Sequence, residues 1–280
     1  MREIQAQEVS RTVADMCQQA NYHLGRDMRE ALARARDREE SPVGRDILDQ
    51  LLQNASIAEA EHIPLCQDTG VAVFFVDLGQ DVHISGGGLE EAINEGVRQG
   101  YSQGLLRKSM VAHPWRRKNT GDNTPAIIHL RLVPGDRLRL TFTAKGGGSE
   151  NMSALRMLKP ADGLEGVKNF VVETVAKAGP NACPPMVVGV GVGGNFETCA
   201  LLAKKALLRP VGQPNADPEL AQVEEELLQR ANRLGVGPQG LGGRITVLAV
   251  QMEVYPCHIA SLPVAVNIQC HANRHVVAEL

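Results

Sequence analysis

Short runs of β-branched and small apolar residues alternate along this chain with segments in which apolar residues recur at helical spacing. The clearest runs are VAVFFV (71–76), MVVGVGV (186–192) and LPVAVNI (262–268). Runs of this length and composition are typical of buried strands. Their alternation with helices predicts an α/β fold, with a mixed β-sheet core and helices around it.

Helical spacing of apolar residues is clear in the first part of the chain and again in its second half. Residues 1–62 are predicted to form a helical N-terminal section, in which the charged stretch ALARARDREESPVG is expected to be exposed. Asp217-Pro218 is a typical helix start, with the carboxylate at the N-cap and proline at the first helical position. Further helices are predicted over residues 89–103, 164–177 and around 201–207.

A reversal of the chain is indicated between residues 126 and 144. The strand-like segments AIIHLRLV (126–133) and RLRLTFTA (137–144) flank the tripeptide Pro134-Gly135-Asp136. Two strands joined by such a short turn predict a β-hairpin. The apolar residues of the second segment fall on one face: Leu138, Leu140, Phe142 and Ala144.

Composition excludes several classes of protein. Lys and Arg total 29 against 32 Asp and Glu, a net charge of −3, so the chain lacks the basic field of a nucleic-acid-binding protein. No apolar run reaches the ~18–20 residues of a membrane-spanning helix, and the polar N-terminus does not resemble a signal peptide. We therefore expect a cytoplasmic protein. No repeat or linker interrupts the chain, which predicts a single domain over residues 1–280.

The six cysteines are too sparse for a disulfide framework, and none forms a C-x-x-C pair. Cys17 and Cys199 lie on helical apolar faces and are expected to be buried, whereas Cys257 is left open. The remaining three adjoin polar segments, where each is either a small buried residue or a ligand: Cys66, Cys183 and Cys270. Widely spaced cysteines can share one cluster if the fold brings their loops together.

Two glycine-rich segments follow predicted strands. Gly146-Gly147-Gly148 either forms a nest whose backbone N–H groups approach an anion or is a loose turn. Residues 189–194 match G-x-G-x-x-G formally, but no second strand ends in an acidic residue about 20 positions later, as dinucleotide binding requires. Close packing of a strand against a helix is the preferred explanation of these glycines.

Polar residues near the ends of apolar segments are candidates for chemistry. Asp68 and His258 suit proton transfer, although an aspartate before glycine also forms Asx-turns and a single histidine is often structural. Arg107 follows a predicted helix, where a cation ordinarily complements the helix dipole. NTGDNTPA (119–126) is dense in turn-forming residues.

Taken together, these segments resemble the iron–sulfur (class I) fumarate hydratases, and in particular the α subunit of the two-subunit form. The resemblance covers nearly the whole chain. The α subunits of L-tartrate dehydratases share the CQDTG and ACPP elements, whereas GGGSENMS and IASLPVAVNIQC are more similar to the fumarate branch. The matching strings are PLCQDTG, LRKSMV, NTGDNTPA, AKGGGSENMS, ACPPMVVGVGVGG, AKKALLRPVG, GVGPQGLGG and HIASLPVAVNIQCHANRH.

The resemblance implies a [4Fe–4S] cluster held by Cys66, Cys183 and Cys270. Three protein ligands leave one iron open, so that it can act as a Lewis acid on the substrate hydroxyl and a carboxylate. The implied reaction is the reversible hydration of fumarate to L-malate, a step of the tricarboxylic acid cycle.

The family's other contacts map onto five residues. Arg107 would hold a substrate carboxylate through paired charged hydrogen bonds. Gln67 and the backbone N–H of Gly147 would orient the dicarboxylate. Asp68, paired with His258, would handle the proton of the leaving hydroxyl group.

The family's C-terminal part, which supplies the base for the C3 proton and further cationic contacts, has no counterpart in this sequence. We therefore expect a β subunit to complete the site in a hetero-oligomer, and the isolated chain to have little activity. Two alternatives remain: a dehydratase of L-tartrate or another hydroxy-dicarboxylate, and a metal-poor, non-catalytic domain whose cysteines are simply buried.

Overall fold

The computed structural model describes all 280 residues and confirms the α/β fold with mixed sheets. None of the helices has both the length and the hydropathy of a membrane crossing. The helices are α1 (Ala6–Tyr22), α2 (Arg26–Arg38), α3 (Pro42–Glu61), α4 (Leu89–Gln103), α5 (Gly147–Glu150), α6 (Gly163–Ala178), α7 (Phe196–Ala206) and α8 (Pro218–Asn232). The strands are β1 (Arg2–Gln5), β2 (Val71–Gly79), β3 (Val82–Ser85), β4 (Ile127–Val133), β5 (Leu138–Lys145), β6 (Ala154–Leu158), β7 (Met186–Gly193), β8 (Val247–Tyr255), β9 (Leu262–Gln269) and β10 (His275–Glu279).

The chain packs into two compact units. The first contains Met1–Gly25, Ala55–Gly147 and Arg274–Leu280, and the second contains Arg26–Asn54 and Gly148–Asn273. Each has its own hydrophobic core and its own four-stranded sheet. The expectation of a single domain over residues 1–280 stays a prediction.

The first unit is built on a sheet in the order β10-β5-β2-β4. β2 runs parallel to β4 and antiparallel to β5, and β10 runs antiparallel to β5. The apolar face of β5 is fully buried, as predicted, and it packs with Phe74 of β2 and with residues of α1 and α4 such as Val13 and Val97. The core covers this face of the sheet, whereas the loops at the ends of the strands lie outside the core and can carry polar groups.

The predicted hairpin between residues 126 and 144 is wrong. β4 and β5 are both present, but β2 lies between them and pairs with each. The turn crosses the end of β2, where the N–H of Gly79 donates to the carbonyl of Arg137 at 2.8 Å. A turn signal establishes only that the chain reverses. β2 is strongly apolar, and the central position in the sheet, with a partner strand along each of its edges, removes its side chains and backbone from water most completely.

The second unit is built on a sheet in the order β6-β9-β7-β8. Helices α6 and α8 cover one face through a large apolar cluster, and α7 covers the other with Cys199 and Ala203. A Cβ atom on Gly189 or Gly191 would lie 2.0 Å from a backbone carbonyl oxygen of α7. This close approach confirms that strand–helix packing explains the glycines of β7.

The N-terminal helices were predicted correctly in position but not in burial. The charged stretch expected to be exposed belongs largely to α2, which buries Met28, Ala31, Leu32 and Ala35 on one face. These four positions follow the helical repeat and form an apolar stripe along α2. The arginines between them lie on the exposed face, and their number makes the whole stretch look exposed when only the sequence is read. The predicted start of α8 is confirmed, because the Asp217 side chain accepts a hydrogen bond from the N–H of Glu219 at 2.9 Å.

Candidate functional site

The loop of residues 63–70, which follows α3 in the first unit, carries three of the predicted site residues. Cys66 is half-buried, and its Sγ lies 3.3 Å from Oε1 of the exposed Gln67. Burial of Leu65 and Thr69 on either side anchors the loop to the core. The loop therefore presents a thiol and an amide from a fixed backbone.

Asp68 holds the glycine-rich segment by its side chain. Its Oδ1 accepts a hydrogen bond from the N–H of Gly70 at 3.0 Å, which is the Asx-turn considered from the sequence. Its Oδ2 accepts from the N–H of Gly147 at 2.8 Å. The glycine segment thus receives an anion through its backbone N–H, and in this structure the anion is the carboxylate of Asp68.

Two buried side chains that the sequence analysis missed fix the backbone of this loop. Arg274, which is 2% exposed, donates from Nη2 to the carbonyl of Asp68 at 2.8 Å and from Nη1 to Oδ1 of Asn21 at 2.9 Å. The hydroxyl of Tyr101 donates to the carbonyl of Thr69 at 2.7 Å, and burial raises the pKa of this tyrosine. Arg274 lies four residues after Cys270 in a motif string, whereas nothing in the sequence indicated Tyr101.

The segment that carries Arg107 adjoins the same loop. The hydroxyl of Thr69 donates to the carbonyl of Arg107 at 2.6 Å, and the Arg107 side chain is exposed. Arg107 is not in the last turn of α4, since that helix ends at Gln103. Complementation of the helix dipole therefore does not explain this cation.

Asn123 of the NTGDNTPA segment is fully buried and ties the Arg107 segment in place. Its Oδ1 accepts from the N–H of Ser109 at 2.6 Å, and its Nδ2 donates to the carbonyl of Gly70 at 3.2 Å. The buried side-chain amide of Asn123 thus links the NTGDNTPA segment to the Arg107 segment and to Gly70. Together these contacts bring the segments of five predicted residues to one place in the first unit: Cys66, Gln67, Asp68, Arg107 and Gly147.

The segments of two other predicted cysteines, Cys183 and Cys270, are adjacent in the second unit. Cys183 has a left-handed backbone (φ 50°) and is exposed, just before β7. His271 follows Cys270 at the end of β9, and its N–H donates to the carbonyl of Cys183 at 3.4 Å. Gln239 donates from Nε2 to the carbonyl of Pro184 at 2.8 Å, which further fixes this turn. The two cysteine segments are therefore adjacent, because β7 and β9 pair side by side.

His258 lies in an exposed turn between β8 and β9. Its Nδ1 accepts a hydrogen bond from the N–H of Ala260 at 3.1 Å, so the neutral ring carries its proton on Nε2. The turn is closed by the N–H of Ser261, which donates to the carbonyl of His258 at 2.9 Å. The histidine is thus held in one tautomer. Its pairing with Asp68 stays a prediction.

The six cysteines fall into two groups, and none forms a disulfide. Cys17 and Cys199 are buried, as expected, and burial raises the pKa of both thiols. Cys66, Cys183, Cys257 and Cys270 reach the surface. A thiol in an apolar core resists conversion to the thiolate that binds iron, so Cys17 and Cys199 are poor donors, whereas the thiol chemistry of Cys66, Cys183 and Cys270 fits the expected cluster. No three His, Cys, Asp or Glu side chains are grouped in the structure so as to hold a metal ion.

Comparison with known proteins gives one matching family model and several named relatives. Residues 10–279 match the model of the family described as fumarate hydratase (Fumerase). A protein of Methanocaldococcus jannaschii named "Putative L(+)-tartrate dehydratase subunit alpha" is 43% identical over 279 residues, which cover 98% of each chain. The L(+)-tartrate dehydratase subunit alpha of Escherichia coli (strain K12) is 33% identical over 95% of this chain and 89% of its own.

Proposed function

We propose a function on the premise that this chain belongs to the fumarate hydratase (Fumerase) family. The chain is the α subunit of a cytoplasmic, two-subunit hydro-lyase that reversibly hydrates fumarate to L-malate. The observation that carries the proposal is the meeting of the Asp68 loop, the Arg107 segment and Gly147 in the first unit. These segments supply an acid–base group, an exposed cation and backbone donors, which are the groups that a dicarboxylate requires.

Arg107 binds one substrate carboxylate in this proposal. Its guanidinium is exposed, while its backbone is fixed by Thr69 and by the buried amide of Asn123. A planar guanidinium can donate two parallel hydrogen bonds to a carboxylate. Gln67, which is also exposed, orients the remainder of the substrate, and Gly147 contributes by donating its backbone N–H to Asp68 and so holding that carboxylate beside the substrate.

Asp68, together with His258, moves the proton of the substrate hydroxyl. The carboxylate of Asp68 accepts hydrogen bonds from two backbone N–H groups, which fix its orientation. Hydrogen bonds of this kind also leave further lone pairs on both oxygens for a substrate proton. His258 presents its Nε2 side, because its Nδ1 is engaged by the backbone of its own turn.

A [4Fe–4S] cluster held by Cys66, Cys183 and Cys270 is part of the proposal. The cluster, when bound, supplies a Lewis-acidic iron with an open position. The burial of Cys17 and Cys199 supports leaving those two out of the ligand set, and Cys257, which is exposed, is set aside because the family's third ligand follows the LPVAVNIQ strand, as Cys270 does.

A β subunit is expected to provide the remaining groups of the site. Both relatives described above are named as α subunits, and this chain aligns with 98% and 89% of their lengths. Those names also favour a second candidate substrate, L-tartrate, which is a four-carbon dicarboxylate like L-malate. The β subunit would supply the base for the C3 proton in either case.

Turnover of fumarate and L-tartrate by the anaerobically prepared αβ enzyme tests the proposal. We expect higher kcat/KM with fumarate; faster turnover of L-tartrate would identify the second candidate, and no turnover of either would refute both. Arg107→Ala should raise KM by roughly ten-fold or more, the cost of one charged hydrogen-bonded contact. Arg233→Ala, which changes an exposed arginine elsewhere, is the matched control.

A further inference from the structure

The segment between α4 and β4 folds into a fixed projection with an exposed tip. Residues 113–118 (HPWRRK) form this tip, hereafter the Trp115 tip. Below it the chain is closed by a bridge between Val111 and Asn119 and by the N–H of Ala112, which donates to the carbonyl of Lys118 at 2.8 Å. Asn119 also donates from Nδ2 to the carbonyl of Lys108 at 2.9 Å. The projection is therefore held by its own hydrogen bonds.

The Trp115 tip places a large exposed aromatic ring next to three exposed cations. Trp115 is 79% exposed, and its ring is held edge-on by His113, with the centroids 4.3 Å apart. Arg116, Arg117 and Lys118 are all exposed, and none of them forms an ion pair with a carboxylate. Arg117 donates from Nη1 to the carbonyl of Pro114 at 3.2 Å, which closes the turn.

Tryptophan and arginine are the residues that most often anchor protein interfaces. A tip whose backbone is already closed by its own hydrogen bonds loses less conformational entropy when it binds than a flexible loop would. We propose that the Trp115 tip is the docking surface for the β subunit. The partner surface that fits it has an apolar pocket for the indole ring and acidic side chains around that pocket. This inference rests on the function proposed above.

The position of the tip favours a partner that also takes part in catalysis. The hydrogen bond of Asn119 to Lys108 ties the base of the projection to the residue that follows Arg107. The buried amide of Asn123 ties the same segment to the Asp68 loop through Gly70. A subunit that grips the tip is thereby held beside the segment that carries Arg107, where the missing groups of the site are needed.

A second copy of this chain is a poorer fit for the same surface. Two copies related by a two-fold axis through the tip would bring Arg116, Arg117 and Lys118 against the same three cations. Like charges in an interface are unfavourable and suppress the wrong pairing. The charge of the tip therefore selects a different, acidic partner.

The test uses the purified α and β chains and measures their Kd by calorimetry at low and high salt. Trp115→Ala should weaken binding by roughly ten-fold or more, as expected for an interface anchor. A triple variant, Arg116→Glu, Arg117→Glu and Lys118→Glu, should raise the Kd at low salt and remove most of the increase in Kd with salt that the wild type shows. The matched controls are Phe196→Ala, an exposed aromatic residue of α7, and Arg233→Glu; both should bind like the wild type.

The outcomes are distinguishable. If wild-type α and β do not associate, the proposed function fails. If they associate but both tip variants bind as tightly as the controls, the proposed function stands and the docking inference is overturned. If the tip variants instead change only the self-association of α in size-exclusion chromatography with light scattering, the occupant is a second copy and the inference is likewise overturned. Thermal melts of each variant verify folding.

Discussion

Glu39 provides the sharpest test of the packing described for the second unit. This fully buried carboxylate follows α2 and accepts four backbone hydrogen bonds. Its Oε1 accepts from the N–H groups of Glu40, Ser41 and Arg244 at 2.9, 3.0 and 2.9 Å, and its Oε2 accepts from that of Ile245 at 2.8 Å. It thus joins two segments that are about 200 residues apart. Glu39→Gln keeps the shape but removes the charge.

The expected loss of stability follows from these four bonds. In the variant, three bonds to a charged acceptor become bonds to a neutral one, at about 1 kcal/mol each. The fourth N–H, that of Ile245, faces an amide NH₂ and is left without an acceptor, which costs about 1–3 kcal/mol. We therefore expect a destabilisation of roughly 4–6 kcal/mol and, at about 2–4 °C per kcal/mol for a large domain, a decrease in Tm of roughly 8–24 °C.

The same carboxylate makes stability depend on pH. Burial alone would raise the pKa of Glu39, but the four backbone N–H donors outweigh burial and hold the pKa below its ordinary value. Its contribution is therefore complete above the ordinary glutamate pKa and is lost as the pH falls through the lower pKa of the folded state. The stability difference between the wild type and Glu39→Gln should shrink in acid.

Urea denaturation at neutral and acidic pH, followed by circular dichroism, measures both effects. Glu40→Gln is the matched control, because its carboxylate is exposed and contacts only the exposed Arg244, at 3.2 Å. We expect the control to change stability by less than about 1 kcal/mol. A Glu39→Gln variant as stable as the control at neutral pH would refute the reasoning.

Two further predictions concern the sheet of the second unit and the candidate site. Gly191→Ala places a Cβ atom 2.0 Å from the carbonyl oxygen of Cys199 and should destabilise the chain by roughly 1–3 kcal/mol or more in a thermal melt; an unchanged Tm would mean that α7 does not pack there as described. Asp68→Ala frees the N–H of Gly147 and removes the proposed proton carrier, so kcat of the αβ enzyme should fall by roughly 10²-fold or more while α–β affinity stays unchanged. Retained kcat would exclude Asp68 from catalysis.

The strands that could be predicted from the sequence are the apolar ones. β2, β5, β7 and β9 are buried on at least one face, so their composition identifies them, and β4, which was also predicted, contains β-branched and apolar residues although it is largely exposed. β1, β3, β6 and β10 are only four or five residues long and contain polar residues. Such strands form because a neighbouring strand supplies partners for their backbone hydrogen bonds. The local sequence does not show which strand will lie beside them.

The candidate site divides in the same way. Residues in distinctive loops, such as Cys66, Asp68 and Gly147, could be identified because polar groups follow apolar segments there. The side chains that fix the backbone of those loops could not be identified from the sequence. Arg274 contacts Asn21 across 253 positions of sequence, and Asn123 contacts Gly70 across 53. Their roles arise from tertiary contacts alone, so spacing and composition carry no signal for them.

Anaerobic iron and sulfide analysis of the chain co-expressed with its β subunit, together with its visible absorption spectrum, tests the central claim most directly. The wild type, Cys17→Ser and Cys199→Ser should all contain the cluster, because the last two change buried thiols. Cys66→Ser, Cys183→Ser and Cys270→Ser should each lose iron, sulfide and the associated absorbance. A wild-type protein without stoichiometric iron, or three ligand variants that keep it, would contradict the account.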